Sequence, residues 1–153
     1  MKKILFLLLF SFFLSCSKKE NFIYYTYNNV TITRLDKGNE MILYFGKQTS
    51  LKDLPKSYLK AKYNGFDGLI SCYLIFNDSA NVEVVTVEGI FDTIKTGNKL
   101  RLVKFNNNLD FIKWNDKIKN NYKNIIELSD VVKNEIRRNE KNNSKVKTSY
   151  PKE

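Results

Sequence analysis

The chain has few side chains of the types that perform catalysis. It contains no histidine, which excludes Ser-His-Asp and Cys-His nucleophilic sites, most zinc sites and the commonest general base. Its sixteen acidic residues are scattered without a Glu-x-x-Glu or Asp-x-Asp cluster, and its six glycines form no phosphate-binding loop. Residues 36–39 lack the alternating acidic ligands of a calcium loop and are typical of a turn. We therefore expect no catalytic residue, no metal site and no cofactor.

The first of the two cysteines, Cys16, follows a segment with the composition of an export signal. Lys2 and Lys3 precede an uncharged apolar run of 11 residues, Ile4–Leu14, and Ser15 then stands before the cysteine. As a helix this run would be roughly 16 Å long, whereas the hydrocarbon core of a bilayer is roughly 30 Å thick. The run is therefore too short to remain as a spanning anchor.

Leu14-Ser15-Cys16 resembles the lipobox of bacterial lipoprotein precursors, in the looser form common in Bacteroidota, with Phe13 where leucine is commonest. The resemblance implies that residues 1–15 are a signal peptide, that Cys16 is diacylglycerated and N-acylated, and that 16–21 form a lipidated tether. Two or three acyl chains hold a protein firmly on a membrane, whereas one binds marginally. The alternative is an ordinary secretory signal, in which case Cys16 and Cys72 could form a disulfide.

The mature chain has the length and composition of one globular domain. Removal of the signal leaves 138 residues, and 42% of the whole chain is hydrophobic. The formal charge of +10 falls to +8, and the surplus lies after residue 94, where fifteen Lys/Arg accompany seven Asp/Glu. This surplus indicates either a basic binding face or the codon bias of a lysine- and asparagine-rich chain. An exported protein without a reading motif is not expected to bind nucleic acid.

Alternating and β-branched segments predict a β-rich first two thirds. We predict one or two strands over Phe22–Leu35, a hairpin turn at 36–40 and a strand over 41–45, and then a short helix between Pro55 and Tyr63. Three apolar segments follow with turn compositions between them, which predicts an antiparallel meander, and Cys72 is expected to be buried within the first of them. The three segments are Leu69–Phe76, Val82–Phe91 and Leu100–Phe105.

The spacing of apolar residues changes to a helical period after Leu109. Ser129-Asp130 resembles a new N-cap, which predicts two helices or one kinked helix covering the sheet, with Trp114 removed from water. Residues 139–153 are expected to be a flexible basic tail, which leaves 22–138 as a single α+β domain: an antiparallel β-meander of about five to six strands covered by a C-terminal helix or helix pair. The helical stripe consists of Phe111, Trp114, Ile118, Tyr122, Ile125, Val132 and Ile136.

Two short motifs bear on modification. Asp78-Ser79-Ala80 and Asp92-Thr93-Ile94 resemble the Asp-Ser/Thr-aliphatic acceptor of periplasmic O-glycosylation in Bacteroidota, which makes Ser79 and Thr93 candidate glycosylation sites. An Asp-Ser pair also has an ordinary role in turns, because its side chains bond to nearby backbone.

Three functions are compatible with these features. The first is a non-catalytic envelope lipoprotein that binds a protein or peptide partner, of which an immunity or inhibitor protein is a specific version. Acylated Cys16 would hold it in the bilayer, and the lysine-containing sequence after Cys16 favours an outer-membrane position facing the periplasm. The second is a basic envelope protein whose helical region, from Leu109 to Arg138, lies on anionic membrane. The third is a hydrolase that uses carboxylates alone, which the scattered acids disfavour.

Overall fold

The computed structural model describes residues 20–50, 53–62, 72–78, 80–118, 122–129 and 132–151. These residues form ten strands, two α-helices and one turn of 3₁₀ helix at Tyr122–Asn124. The strands are β1 (Glu20–Tyr27), β2 (Val30–Lys37), β3 (Glu40–Phe45), β4 (Tyr58–Lys62), β5 (Cys72–Phe76), β6 (Val82–Val87), β7 (Thr93–Lys95), β8 (Leu100–Phe105), β9 (Ile125–Leu128) and β10 (Lys147–Ser149), and the helices are α1 (Asn108–Ile118) and α2 (Val132–Lys141).

The larger sheet is an antiparallel meander of six strands in the order β10-β1-β2-β3-β4-β7. Its first two hairpins have two-residue loops, each containing a residue in the left-handed region, Asn28 at φ 52° and Gly38 at φ 62°. Asn and Gly adopt this conformation at little cost, and such turns match the twist of the strands that they join. The hairpin turn predicted at 36–40 is confirmed, and the segment Phe22–Leu35 belongs to two strands.

The smaller sheet has four strands in the order β8-β6-β5-β9. β5 pairs antiparallel with β6 and with β9, but β8 runs parallel to β6. The prediction of an antiparallel meander through all three apolar segments was therefore wrong for the third. The chain leaves β6, contributes β7 to the larger sheet opposite β4, and returns in the original direction, which makes the β6–β8 pair parallel.

Side chains from both sheets form one hydrophobic core. Ile23, Ile32 and Leu43 from the larger sheet belong to the same buried cluster as Leu74 and Val84 from the smaller one. Burial of this apolar surface is the main stabilising term of such a fold. The predicted class, α+β with an antiparallel meander and C-terminal helices, is confirmed.

Helix α1 covers the other face of the smaller sheet. Phe111 is buried there against Tyr73 and Val85, and Trp114 and Ile118 pack at the margin of the cluster. The stripe prediction is confirmed for these α1 residues, although Trp114 is only half-buried rather than removed from water. Ile125 was predicted to be helical and instead lies in β9, because Ile126 and Leu128 on alternate positions enter the core between the sheets.

Two further predictions differ from the structure. The segment predicted as a helix between Pro55 and Tyr63 contains β4, whose Leu59 and Ala61 enter the core while its backbone pairs with β3. Tertiary pairing thus outweighs a local helix signal. The tail predicted to be flexible over 139–153 includes the end of α2 and strand β10, which pairs with β1, and Val146 before it is buried. Without β10 the backbone groups of β1 along that edge would be unpaired.

The face of the larger sheet that points away from the core is rich in aromatic side chains. Tyr24 and Tyr44 are buried there, and the Tyr24 hydroxyl donates to the backbone oxygen of Gln48 at 2.9 Å. Burial raises the pKa of the Tyr44 hydroxyl to about 12. The buried cluster on this face is Phe22, Tyr24, Leu35, Ile42, Tyr44 and Tyr58.

Candidate functional site

Two of the three residues predicted to carry a modification lie outside the described residues, namely Cys16 and Ser79. Thr93 begins the edge strand β7, where it pairs with Lys60 of β4 and is half-buried. Its glycosylation stays a prediction, as do the lipidation of Cys16 and the glycosylation of Ser79.

Cys72 is a buried free thiol at the start of β5. Burial is the main reason why the pKa of this thiol is raised far above its ordinary value. The thiolate is the nucleophilic form of cysteine, so its suppression makes Cys72 chemically inert in the folded protein. The prediction that Cys72 is buried is confirmed.

A buried charge cluster joins the larger sheet to α2. The guanidinium of Arg34 donates through Nη1 to Glu135 Oε2 at 2.9 Å and to the backbone oxygen of Ser129 at 2.7 Å, and through Nε to Asp36 Oδ1 at 2.8 Å. The side chains of Arg34 and Glu135 are both 0% exposed. Glu135 Oε2 also accepts the Ser129 N–H at 3.0 Å.

The ionisation of Glu135 is strongly affected by this environment. Burial raises its pKa to about 7, against the opposing effects of Arg34, the Ser129 N–H and the Tyr25 hydroxyl. Glu135 Oε1 and the nearby hydroxyl of Tyr25 are both buried, and neither atom makes a hydrogen bond of normal geometry. The net effect brings the ionisation of the Glu135 carboxyl to about neutral pH.

The charge cluster is closed to solvent, so it fits a structural role better than a catalytic one. No substrate can reach Arg34 or Glu135 while α2 stays in place. Arg34 and Glu135 were not among the residues predicted to form a site. The signal of this cluster is the alternation Val30, Ile32, Arg34 in β2, which puts a cation on the face of the strand that enters the core.

Three of the large apolar side chains that are exposed lie on one side of the smaller sheet. Leu109 and Ile112 of α1 are 61% and 54% exposed, and Val103 of β8 is 37% exposed. Val103 alternates with Leu102, which packs on the core, and α1 packs over β6 and β8. We call Val103, Leu109 and Ile112 the α1–β8 patch. The other large apolar side chains that are exposed among the described residues are Leu54, Ile94 and Tyr150.

Strand β8 beside this patch is the last strand of its sheet. Val82 N–H donates to the Lys99 oxygen at 2.9 Å, and Glu88 N–H donates to the Phe105 oxygen at 2.9 Å. Hydrogen-bonding direction alternates along a strand, so Leu102 and Lys104 direct their backbone groups away from β6. No strand in the described part of the chain pairs with that side of β8.

A shallow, open depression lies between α2 and the residue that follows β10. It is lined by Ile136, Arg137 and Glu140 of α2 and by Tyr150 after β10, and its volume is about 350 Å³. Its width and mixed charge give it no specific set of ligand-binding groups.

Comparisons with known proteins give this chain no relative. No family model, no curated protein and no solved structure matches it. Within the described ranges, no group of three or more cysteine, aspartate or glutamate side chains could hold a metal ion. Among the same residues, no helix has both the length and the apolar composition that crossing a membrane requires.

Proposed function

We propose that this protein is an envelope lipoprotein, tethered through acylated Cys16, that binds a protein or peptide partner without catalysing a reaction. An immunity or inhibitor protein is the specific version that this description fits. The outer membrane, with the domain facing the periplasm, is the proposed location.

The observation that carries the binding role is the α1–β8 patch. Leu109 and Ile112 are the two most exposed large apolar side chains of the described residues, and they lie on a helix whose other face already covers a sheet. Because they are three positions apart, Leu109 and Ile112 are neighbours on the helix surface, and exposed apolar groups that adjoin are typical of interaction sites, whereas scattered single ones need no explanation. Leu109 and Ile112 are therefore the residues most suited to contact a partner.

The charges of α1 favour a protein partner over an anionic membrane surface. The exposed residues of the helix include Asp110 and Asp116 as well as Lys113 and Lys117, so its surface has no net positive charge. A helix that lies on anionic lipid usually carries lysines and arginines along its polar face without matching acids. This balance disfavours α1 as the part of the chain that would lie on an anionic membrane.

Co-purification from the native envelope tests the proposal. The tagged, lipidated chain is isolated from its own solubilised envelope as the parent, as Leu109→Ser/Ile112→Ser and as the control Leu54→Ser/Tyr150→Ser, which removes exposed apolar side chains elsewhere. We expect a protein retained by the parent and the control and reduced about tenfold in the patch variant, which corresponds to about 1.4 kcal/mol of binding. Equal retention by all three chains, or retention by none, would contradict the proposal.

A further inference from the structure

We infer that the open edge of β8 accepts an acidic, extended polypeptide segment as an added strand. The inference rests on the proposed binding function and names the kind of partner and the way it is held. In this mode, backbone hydrogen bonds provide affinity, and the alternating side chains of the added segment provide specificity.

The backbone of β8 is suited to strand addition. The N–H and C=O groups of Leu102 and Lys104 point away from β6, and neither residue is bonded by another described strand. At the start of the strand this edge is closed, because the Leu100 oxygen accepts the Gly97 N–H at 3.1 Å. An incoming segment would therefore pair with the portion of β8 that follows Leu100.

β8 has the longest open edge in the described part of the fold. It has six residues, whereas β7 and β10 at the edges of the larger sheet have three each. The remaining edge strand, β9, lies beside α2, and Asn139 of that helix accepts the Glu127 N–H and donates to the Glu127 oxygen. The outward backbone groups of β9 are thus already satisfied by a side chain, whereas those of β8 are available.

The charges along β8 select an acidic partner. Arg101 and Lys104 are exposed on the strand, and Lys99 is exposed just before it. Both form long ion pairs at the surface: Arg101 lies 3.7 Å from Glu83 and Lys104 lies 3.6 Å from Glu88. Exposed pairs of this kind contribute little, so the cations can turn toward carboxylates of an incoming strand.

The same cations disfavour pairing between two copies of this chain. Lysines on an exposed edge are a common protection against edge-to-edge association, because two such edges repel each other. An acidic segment reverses that repulsion. Val103, on the face of β8 toward α1, adds an apolar contact at the centre of the edge, so the segment should carry an apolar residue opposite Val103, between acidic residues opposite Arg101 and Lys104.

Photo-crosslinking in the protein's own cells tests this inference. A benzophenone amino acid replaces Val103 in the lipidated full-length chain, and crosslinked peptides are identified by mass spectrometry. We expect one product, an acidic stretch of another polypeptide. Its yield should fall about tenfold in Arg101→Glu/Lys104→Glu, because charge reversal replaces attraction with repulsion.

A proline variant isolates the backbone contribution. Lys104→Pro removes the outward N–H without touching the β6 pairing, and Lys104→Thr is the matched control that loses the charge but keeps the N–H. The crosslink should be lost in the first variant and kept in the second. If Lys104→Pro does not fold, the charge-reversed pair still decides the matter.

Several outcomes would overturn the inference. They are a crosslink to lipid, a crosslink to a second copy of this chain, no crosslink, or a polypeptide crosslink unaffected by both Lys104→Pro and Arg101→Glu/Lys104→Glu. A second benzophenone position at Ile112 distinguishes a failure of strand addition at β8 from a failure of the proposed binding function. A partner crosslinked at Ile112 but not through the β8 edge leaves the binding function standing, whereas no polypeptide at either position contradicts both.

Discussion

At the scale of single residues, the ionisation of Glu135 links folding to pH. In the unfolded chain its pKa is about 4.5, and burial raises it to about 7 in the folded protein. Protonation of Glu135 therefore stabilises the folded state fully below about pH 4.5. This stabilisation is lost as the pH rises through about 7, because the folded state must then bury an additional negative charge. We expect the free energy of unfolding to fall by about 2 to 3 kcal/mol across that window, at about 1.4 kcal/mol per pH unit.

Glu135→Gln provides the control for this expectation. The amide oxygen can still accept from Arg34 and Ser129, and the amide nitrogen can donate toward Tyr25. Urea unfolding of both proteins between pH 4.5 and pH 8 should show a decline in the parent that the variant lacks. Parallel curves for the two proteins would show that Glu135 does not titrate in this range.

Cys72 provides a second test at the residue scale. The thiol is fully buried and its pKa is raised, so a bulky thiol reagent should label it only after denaturation. Labelling with and without urea, followed by mass spectrometry, measures this directly. Rapid labelling of the native protein would mean that β5 opens far more easily than its position in the core allows.

At the scale of elements, α1 should stabilise the fold through one face only. Phe111 is 6% exposed and stacks with Trp114 at a centroid distance of 5.7 Å, so Phe111→Ala should cost about 3 to 5 kcal/mol. Leu109 is on the same helix but exposed, and Leu109→Ser should change stability by about 0.5 kcal/mol or less. Chemical denaturation followed by Trp114 fluorescence compares the two. A similar loss in both variants would mean that the outward face is also packed.

Prediction from sequence succeeded for elements whose local sequence pattern favours the same structure as their tertiary contacts. Asp36–Glu40 contains a glycine suited to the left-handed turn, and the spacing of Phe111, Trp114 and Ile118 matches the face that α1 buries. It failed where long-range pairing decided the outcome. β4 is a strand because it pairs with β3, and β10 is a strand because it pairs with β1. The residues of these two short segments do not indicate such pairing by themselves.

Among the candidate sites, too, only the features that depend on neighbouring residues in the sequence could be predicted. The burial of Cys72 followed from its apolar neighbours, whereas the Arg34–Glu135 pair joins residues 101 positions apart in the chain. The open edge of β8 also escaped sequence analysis. An antiparallel meander was predicted there, whereas the crossover through β7 makes β8 run parallel to β6, which sets the backbone groups that β8 directs away from β6.

At the scale of the whole molecule, the proposed anchor makes Cys16 essential for membrane attachment. Cys16→Ser should abolish incorporation of labelled fatty acid and leave a precursor that is uncleaved or cleaved elsewhere, because the thiol is the acceptor of the first lipid. Metabolic labelling followed by gel analysis and mass spectrometry of the amino terminus is the measurement. Unchanged labelling of Cys16→Ser would contradict the anchor.

The binding proposal is tested most directly by comparing the exposure of single side chains inside and outside the envelope. Hydroxyl-radical footprinting oxidises exposed leucine, isoleucine and tyrosine side chains, and it is applied to intact envelopes and to the purified domain. We expect oxidation of Leu109 and Ile112 to fall in the envelope while that of Leu54 and Tyr150 stays the same, since only the first two belong to the α1–β8 patch. Equal oxidation of Leu109 and Ile112 in both samples would contradict the account.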